Sequence, residues 1–181
     1  LDWSFMLCTI LLQICFITEK RTYLNKCNHF NLILLKGVSM KFELHCHTYY
    51  SKGKKIPWEA TLSPEEVFKL AKKKNFSGVA ITDHDTTKGW KESQRAAKKY
   101  GIIFIPGIEI KTQDGHVLAL GVSEALPKEL PLEETVELIH QQGGISIAAH
   151  PFDLRNDGVK TKIDKVDALS LIHISEPTRL G

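Results

Sequence analysis

The chain has 181 residues, of which 43% are hydrophobic and 25% charged, with a formal net charge of +3; this composition suits one globular domain with enough length to bury a core. Between Met40 and Leu169 there are 19 Lys and Arg against 18 Asp and Glu, so no basic surplus argues for a stable nucleic-acid complex. Cys8, Cys15 and Cys27 precede residue 40 and only Cys46 follows it, which excludes a disulfide framework or a CxxC zinc site.

Residues 1–39 begin with Leu and show no helical or strand period. Their uncharged stretch, residues 3–18, is short for a membrane span. Asp2 stands where a signal peptide carries basic residues. We expect residues 1–39 to be a non-native or disordered upstream extension, with translation starting at Met40, no membrane partner and a cytoplasmic location. From residue 41 the pattern is regular. Residues 41–45 predict a short strand and residues 48–62 a polar loop. Ser63 is an N-cap, Pro64 suits the first helical position, Glu66 completes a capping box, and Val67, Leu70 and Ala71 form an apolar stripe. Residues 78–82 predict a buried strand, 87–100 a helix and 102–106 an apolar strand. Residues 108–111 and 116–121 look extended, 132–142 helical, 145–148 a buried strand, and 166–169 the start of another. This alternation predicts βα units with parallel strands, as in an α/β barrel or an open sheet. Residues 170–179 resemble the translation of a sequencing adapter, so 170–181 is set aside and the native chain is expected to continue past Leu169.

The chemically interesting residues fall at the ends of predicted strands, the edge at which parallel α/β folds build their sites. Period-2 alternation points His45 and His47 to one side, where two imidazoles can bind one metal, and turns Cys46 the other way as a small core residue. Asp83, His84 and Asp85 stand where an apolar strand stops. His84 is a candidate ligand, Asp83 a candidate to orient an imidazole, and Asp85 reads as a cap for the next helix. Glu109 lies between two isoleucines in a segment that reads as buried. A buried carboxylate needs a partner, and a metal ion provides one. His116 opens one apolar run and His150 follows another; either alone reads as a core histidine. Five histidines and a glutamate at successive strand ends are harder to explain by packing. His140 reads as solvent-exposed.

The segments HCHTYYS, ITDHD, GIEI, the His of GHVLALG, and AAHP resemble, in that order, successive motifs of the PHP (polymerase and histidinol phosphatase) family. The resemblance covers residues 40–169. It implies a partial, distorted (β/α)7 barrel of α/β class whose last strands are missing, with two or three divalent ions (Mn, Zn or Fe) at the strand ends. By matching motif, His45 and His47 would bind one ion, Glu109 would bridge, His116 and His150 would hold a second, and His84 would belong to a third. Many relatives carry Asp or His where this chain has Lys52, which as a cation can meet a substrate phosphate instead. The family's late Asp-x-His motif is absent, so the chain as written is expected to be poorly stable and inactive by itself. The implied reaction is metal-dependent hydrolysis of a phosphate monoester or diester, with a small phosphorylated substrate or an RNA end as partner. Nucleoside 3',5'-bisphosphate phosphatase and 5'-3' exoribonuclease activities are the leading types. A histidinol-phosphatase-like enzyme, a non-catalytic module of a larger assembly and an amidohydrolase are the alternatives.

Overall fold

The computed structural model describes residues 40–51, 62–153 and 158–170. The expectations for residues 1–39, for Lys52 and for the tail from residue 171 fall outside these.

The chain begins with β1 (Phe42–Cys46) and a 3-10 turn (Tyr49–Ser51), followed by α1 (Pro64–Lys73), β2 (Gly78–Ile81) and α2 (Trp90–Tyr100). Next come β3 (Ile103–Lys111), β4 (His116–Leu120), α3 (Leu132–Gln141), β5 (Ile145–Ala148), a 3-10 segment (Lys160–Lys165) and β6 (Ala168–Leu169). The six strands form one sheet in chain order.

Local chemistry starts α1 as the sequence predicts. The Ser63 side chain accepts the Glu66 N–H while the Glu66 carboxylate accepts the Ser63 N–H, and Pro64 occupies the first turn. The buried face is set by Pro64, Val67, Phe68 and Ala71. Leu70, expected in the stripe, is instead exposed, because the larger Phe68 turns the helix toward the core and is itself 0% exposed. Helix α2 starts at Trp90, later than the expected residue 87, and no side chain caps it. Its end is a left-handed Gly101 at φ 65, whose N–H bonds the Ala97 carbonyl. Asp85 does not cap it; its carboxylate accepts the backbone N–H of Lys111.

The all-parallel expectation is corrected. Strands β1, β2 and β3 are parallel, but β4 runs antiparallel to both β3 and β5, and β6 returns to a parallel pairing with β5. Residues 102–106 and 108–111, read as two segments, belong to one nine-residue strand. Ile103 to Pro106 pair with β2, and Gly107 to Lys111 pair with β4. The exchange of partners falls at Pro106-Gly107, where proline lacks a donor for the ladder.

The helices pack on one face of the sheet. Phe68, Val67 and Ala71 of α1 meet Ala96 and Ala97 of α2 over Val79 and Ile81. Leu132, Val136 and Ile139 of α3 cover Ile108, Ile110, Val117 and Ala119. The opposite face is lined by Ala80, Ile105, Leu118, Leu120 and Ile147. This mixed α/β sheet is the partial barrel expected of the family. Since Ile108 and Ile110 point to the helices, Glu109 between them points to the other face.

Candidate metal centre

Glu109 is 1% exposed and lies at the centre of a cluster drawn from four strands. Its Oε2 lies 2.9 Å from His45 Nε2, 2.9 Å from His47 Nε2 and 3.6 Å from His84 Nδ1. Its Oε1 lies 3.0 Å from both His116 Nδ1 and His150 Nε2. The imidazoles encircle the carboxylate as neighbours, His45–His47, His47–His84, His84–His116 and His116–His150, with centroids 5.0, 4.6, 5.5 and 5.3 Å apart. His45 and His150 close the ring at 6.4 Å. All six candidate ligands therefore converge on one place.

Each arrives by a local device. In β1, Glu43 pairs with Val79 but Cys46 with Ile81, so one extra residue bulges between them. The bulge lets Leu44 join the inner cluster while Cys46 packs with the helix-side cluster. Strict alternation would have put both on one face. Burial pushes the Cys46 thiol up to about 12, aided by the nearby Glu43 and Asp83 charges. His84 extends the β2 line past its end, where it forms an isolated bridge with Glu109. His116 sits diagonally from Glu109 across the β3–β4 ladder, since Glu109 faces Leu118 directly. His150 has a φ of 32° and Asp85 one of 51°, both in the left-handed region that non-glycine residues occupy at a cost.

Burial alone would push the Glu109 carboxyl up. Hydrogen bonds from His116, His150, His45 and His47 outweigh it and hold the group well below the usual carboxylate range. Glu109 is thus an anion in a site built of nitrogen donors.

Two sets of ligand atoms lie within 4.8 Å of one another: His45, His47 and Glu109, and His84, Glu109 and His116. The geometry groups His84 with His116, whereas the motif resemblance had set His84 apart. Glu109 belongs to both sets, as a bridging carboxylate would. The donor set fits a metal: His45 Nε2 and His47 Nε2 lie 3.0 Å apart and approach the same carboxylate oxygen. Imidazole-rich sites with a carboxylate suit zinc, iron or manganese more than magnesium.

Asp83, 1% exposed, touches its imidazole indirectly. Its carboxylate accepts the Thr48 N–H at 2.6 Å, the Thr48 hydroxyl at 2.7 Å and the Ser51 hydroxyl at 2.9 Å. Ser51 Oγ in turn lies 3.0 Å from His47 Nδ1. Sequence reasoning missed Ser51 as a functional residue; the signal was a serine four residues after His47, a spacing one tight turn brings back. His140, read as exposed, is on the surface and bonds Asp167.

A model of the PHP domain matches residues 43–170. The chain belongs to the PHP family. Similar proteins include the uncharacterized protein MJ1587 of Methanocaldococcus jannaschii, 41% identical over 67% of this chain and 80% of that protein. The 5'-3' exoribonuclease of Haemophilus influenzae is 30% identical over 74% of this chain but only 46% of the enzyme. Among solved structures, a Bifidobacterium adolescentis protein provisionally described as a metal-dependent phosphoesterase shares the fold. It superposes with a TM-score of 0.54 at 20% identity, covering 66% of this chain and 70% of that one. Among the described residues no helix is long and apolar enough to cross a membrane.

Proposed function

We propose that this PHP domain hydrolyses a phosphate ester of a nucleotide or an RNA end, using two or three divalent ions (Mn, Zn or Fe) held by His45, His47, His84, Glu109, His116 and His150. The observation that carries this is the placement of Glu109, whose two carboxylate oxygens each face a separate group of imidazoles. Divalent ions, when bound, supply Lewis-acid polarisation of phosphoryl oxygens and make water a nucleophile near neutral pH. The chain's own residues supply position. Glu109 offers one oxygen to each side, and the imidazoles hold fixed nitrogen lone pairs around it. Asp83 and Ser51 steady the His47 side, a preorganisation that saves reorganisation during reaction. The choice of nucleotide or RNA end is supported by similarity to the exoribonuclease, of which this chain spans about half. Lys52, next to Ser51 in the sequence, is the residue we assign to a substrate phosphate.

The test is manganese-dependent phosphate release by the full-length gene product from nucleoside 3',5'-bisphosphates and from 5'-phosphorylated RNA. His47→Ala and Glu109→Gln should each reduce it by about a hundredfold or more, the scale of losing an electrostatic catalytic element. Full activity in both variants would refute these roles.

A further inference from the structure

The Ser51 hydroxyl joins two chain segments, residues 47–51 and 83–84, and its hydrogen bonds leave little freedom. It has one proton to give and two lone pairs to offer. As a carboxylate, Asp83 can only accept, so the Ser51 proton goes to Asp83 Oδ1 at 2.9 Å. The backbone N–H of His84 can only donate, and it fills one Ser51 lone pair at 3.0 Å. The remaining contact, His47 Nδ1 at 3.0 Å, must then be a donor. Competing donors to Asp83 do not change this, because the Thr48 N–H and the Thr48 hydroxyl also point their protons at the carboxylate. The group is sealed from water: Thr48 and Asp83 are no more than 1% exposed, and Ser51 is buried. Space is equally tight, since a Cβ on Gly89 would come within 2.8 Å of Asp83 Oδ2.

We infer that Asp83, acting through Ser51, places a proton on His47 Nδ1 and so leaves Nε2 as the ring nitrogen that takes a cation beside Glu109. Ser51 is a positioning residue. It also ties the main chain of His84, whose ring stacks on His47 at 4.6 Å and 21°, so one hydroxyl orients two neighbouring imidazoles. The inference rests on the metal-centre reading above: His47 Nε2 lies 2.9 Å from Glu109 Oε2, so the nitrogen that a proton on Nδ1 leaves for a cation is the one beside the carboxylate. A hydroxyl interposed between carboxylate and imidazole extends the reach of the usual carboxylate–histidine arrangement by one residue.

The deciding measurement is the protonation pattern of the His47 ring in the metal-free full chain, labelled with 15N-histidine and read by long-range nitrogen–proton correlation at about pH 8.5, above the ordinary imidazole range. A His47→Gln sample assigns the signal by its loss. We expect a proton on Nδ1, lost or exchanged for a mixture with Nε2–H in Ser51→Ala, together with zinc binding weaker by about 10- to 100-fold in that variant. A bare Nδ1 in the unsubstituted chain overturns the inference even if Ser51→Ala does not fold. So does an Nδ1 proton that survives unchanged in a folded Ser51→Ala. A chain that shows the Nδ1 proton and takes up no zinc sustains the hydrogen-bond assignment and removes the proposed function, so the two can fail separately.

Discussion

His45 and Cys46 are adjacent in sequence and opposite in chemistry. The bulge in β1 sends His45 to the carboxylate of Glu109, whereas Cys46 packs among Val67, Phe68 and Ile81. Burial pushes the Cys46 thiol up to about 12, so its neutral form is favoured in the folded chain. A thiol pKa raised above its unfolded value near 9 contributes stability that is fully present below about pH 9 and is lost as pH rises toward about 12. The folded chain should therefore lose urea resistance over that window, and Cys46→Ala should flatten the loss; an unchanged slope would count against the burial assigned here. At about pH 8 Cys46 should resist iodoacetamide until the chain is unfolded, as peptide mapping can show, because the thiolate is the reactive form. That Cys46 would face away from the histidines was legible from alternation. That Leu44 would not share its face was not, since a bulge depends on the partner strand.

At the scale of elements, the capping box of α1 is written entirely in residues 63–66 and could be read directly. Ser63→Ala should cost about 1 kcal/mol, seen as a lower urea midpoint at unchanged slope. The β3–β4 hairpin was less legible, although Asp114-Gly115 between two apolar runs is a hairpin signal in its own right. Gly115, at φ 140, lies so close to the next segment that a Cβ would come within 2.6 Å of the Gly158 carbonyl carbon. Gly158 in turn leaves no room for a Cβ, which would meet the Pro151 and His150 carbonyl oxygens at 2.6 and 2.7 Å. These two glycines let the backbone around His116 and His150 stack closely. Gly158→Ala should destabilise the chain by about 1–3 kcal/mol through overpacking and weaken zinc uptake as His150 shifts. A stable variant with undiminished uptake would show that His150 does not depend on this packing.

Across the described residues, the helix-side clusters and the inner cluster hold a six-stranded sheet, in which the ends of β1, β2, β4 and β5 deliver the histidines around Glu109 of β3. Since the ligands come from residues 45 to 150, ion binding and folding are coupled. Zinc at a hundredfold excess over its dissociation constant should stabilise the chain by about 2.7 kcal/mol, read as a raised melting temperature that chelator reverses. Glu109→Gln should erase that difference. A chelator-insensitive melting temperature in the unsubstituted chain would mean that the histidines form no ion site linked to folding.

Much of this protein is determined by the sequence alone. Residue type and spacing specify the helix start at Ser63, the buried strands around residues 79 and 147, and six candidate ligands at strand ends, because capping, alternation and burial are local rules. The tertiary structure alone decided that β4 runs antiparallel, that the bulge in β1 re-aims Leu44 and Cys46, that Phe68 displaces Leu70 from the core, and that Asp83 reaches His47 through Ser51. These depend on which segments meet in space, and pairing between distant strands and a hydrogen bond spanning 32 residues leave no periodic trace along the chain.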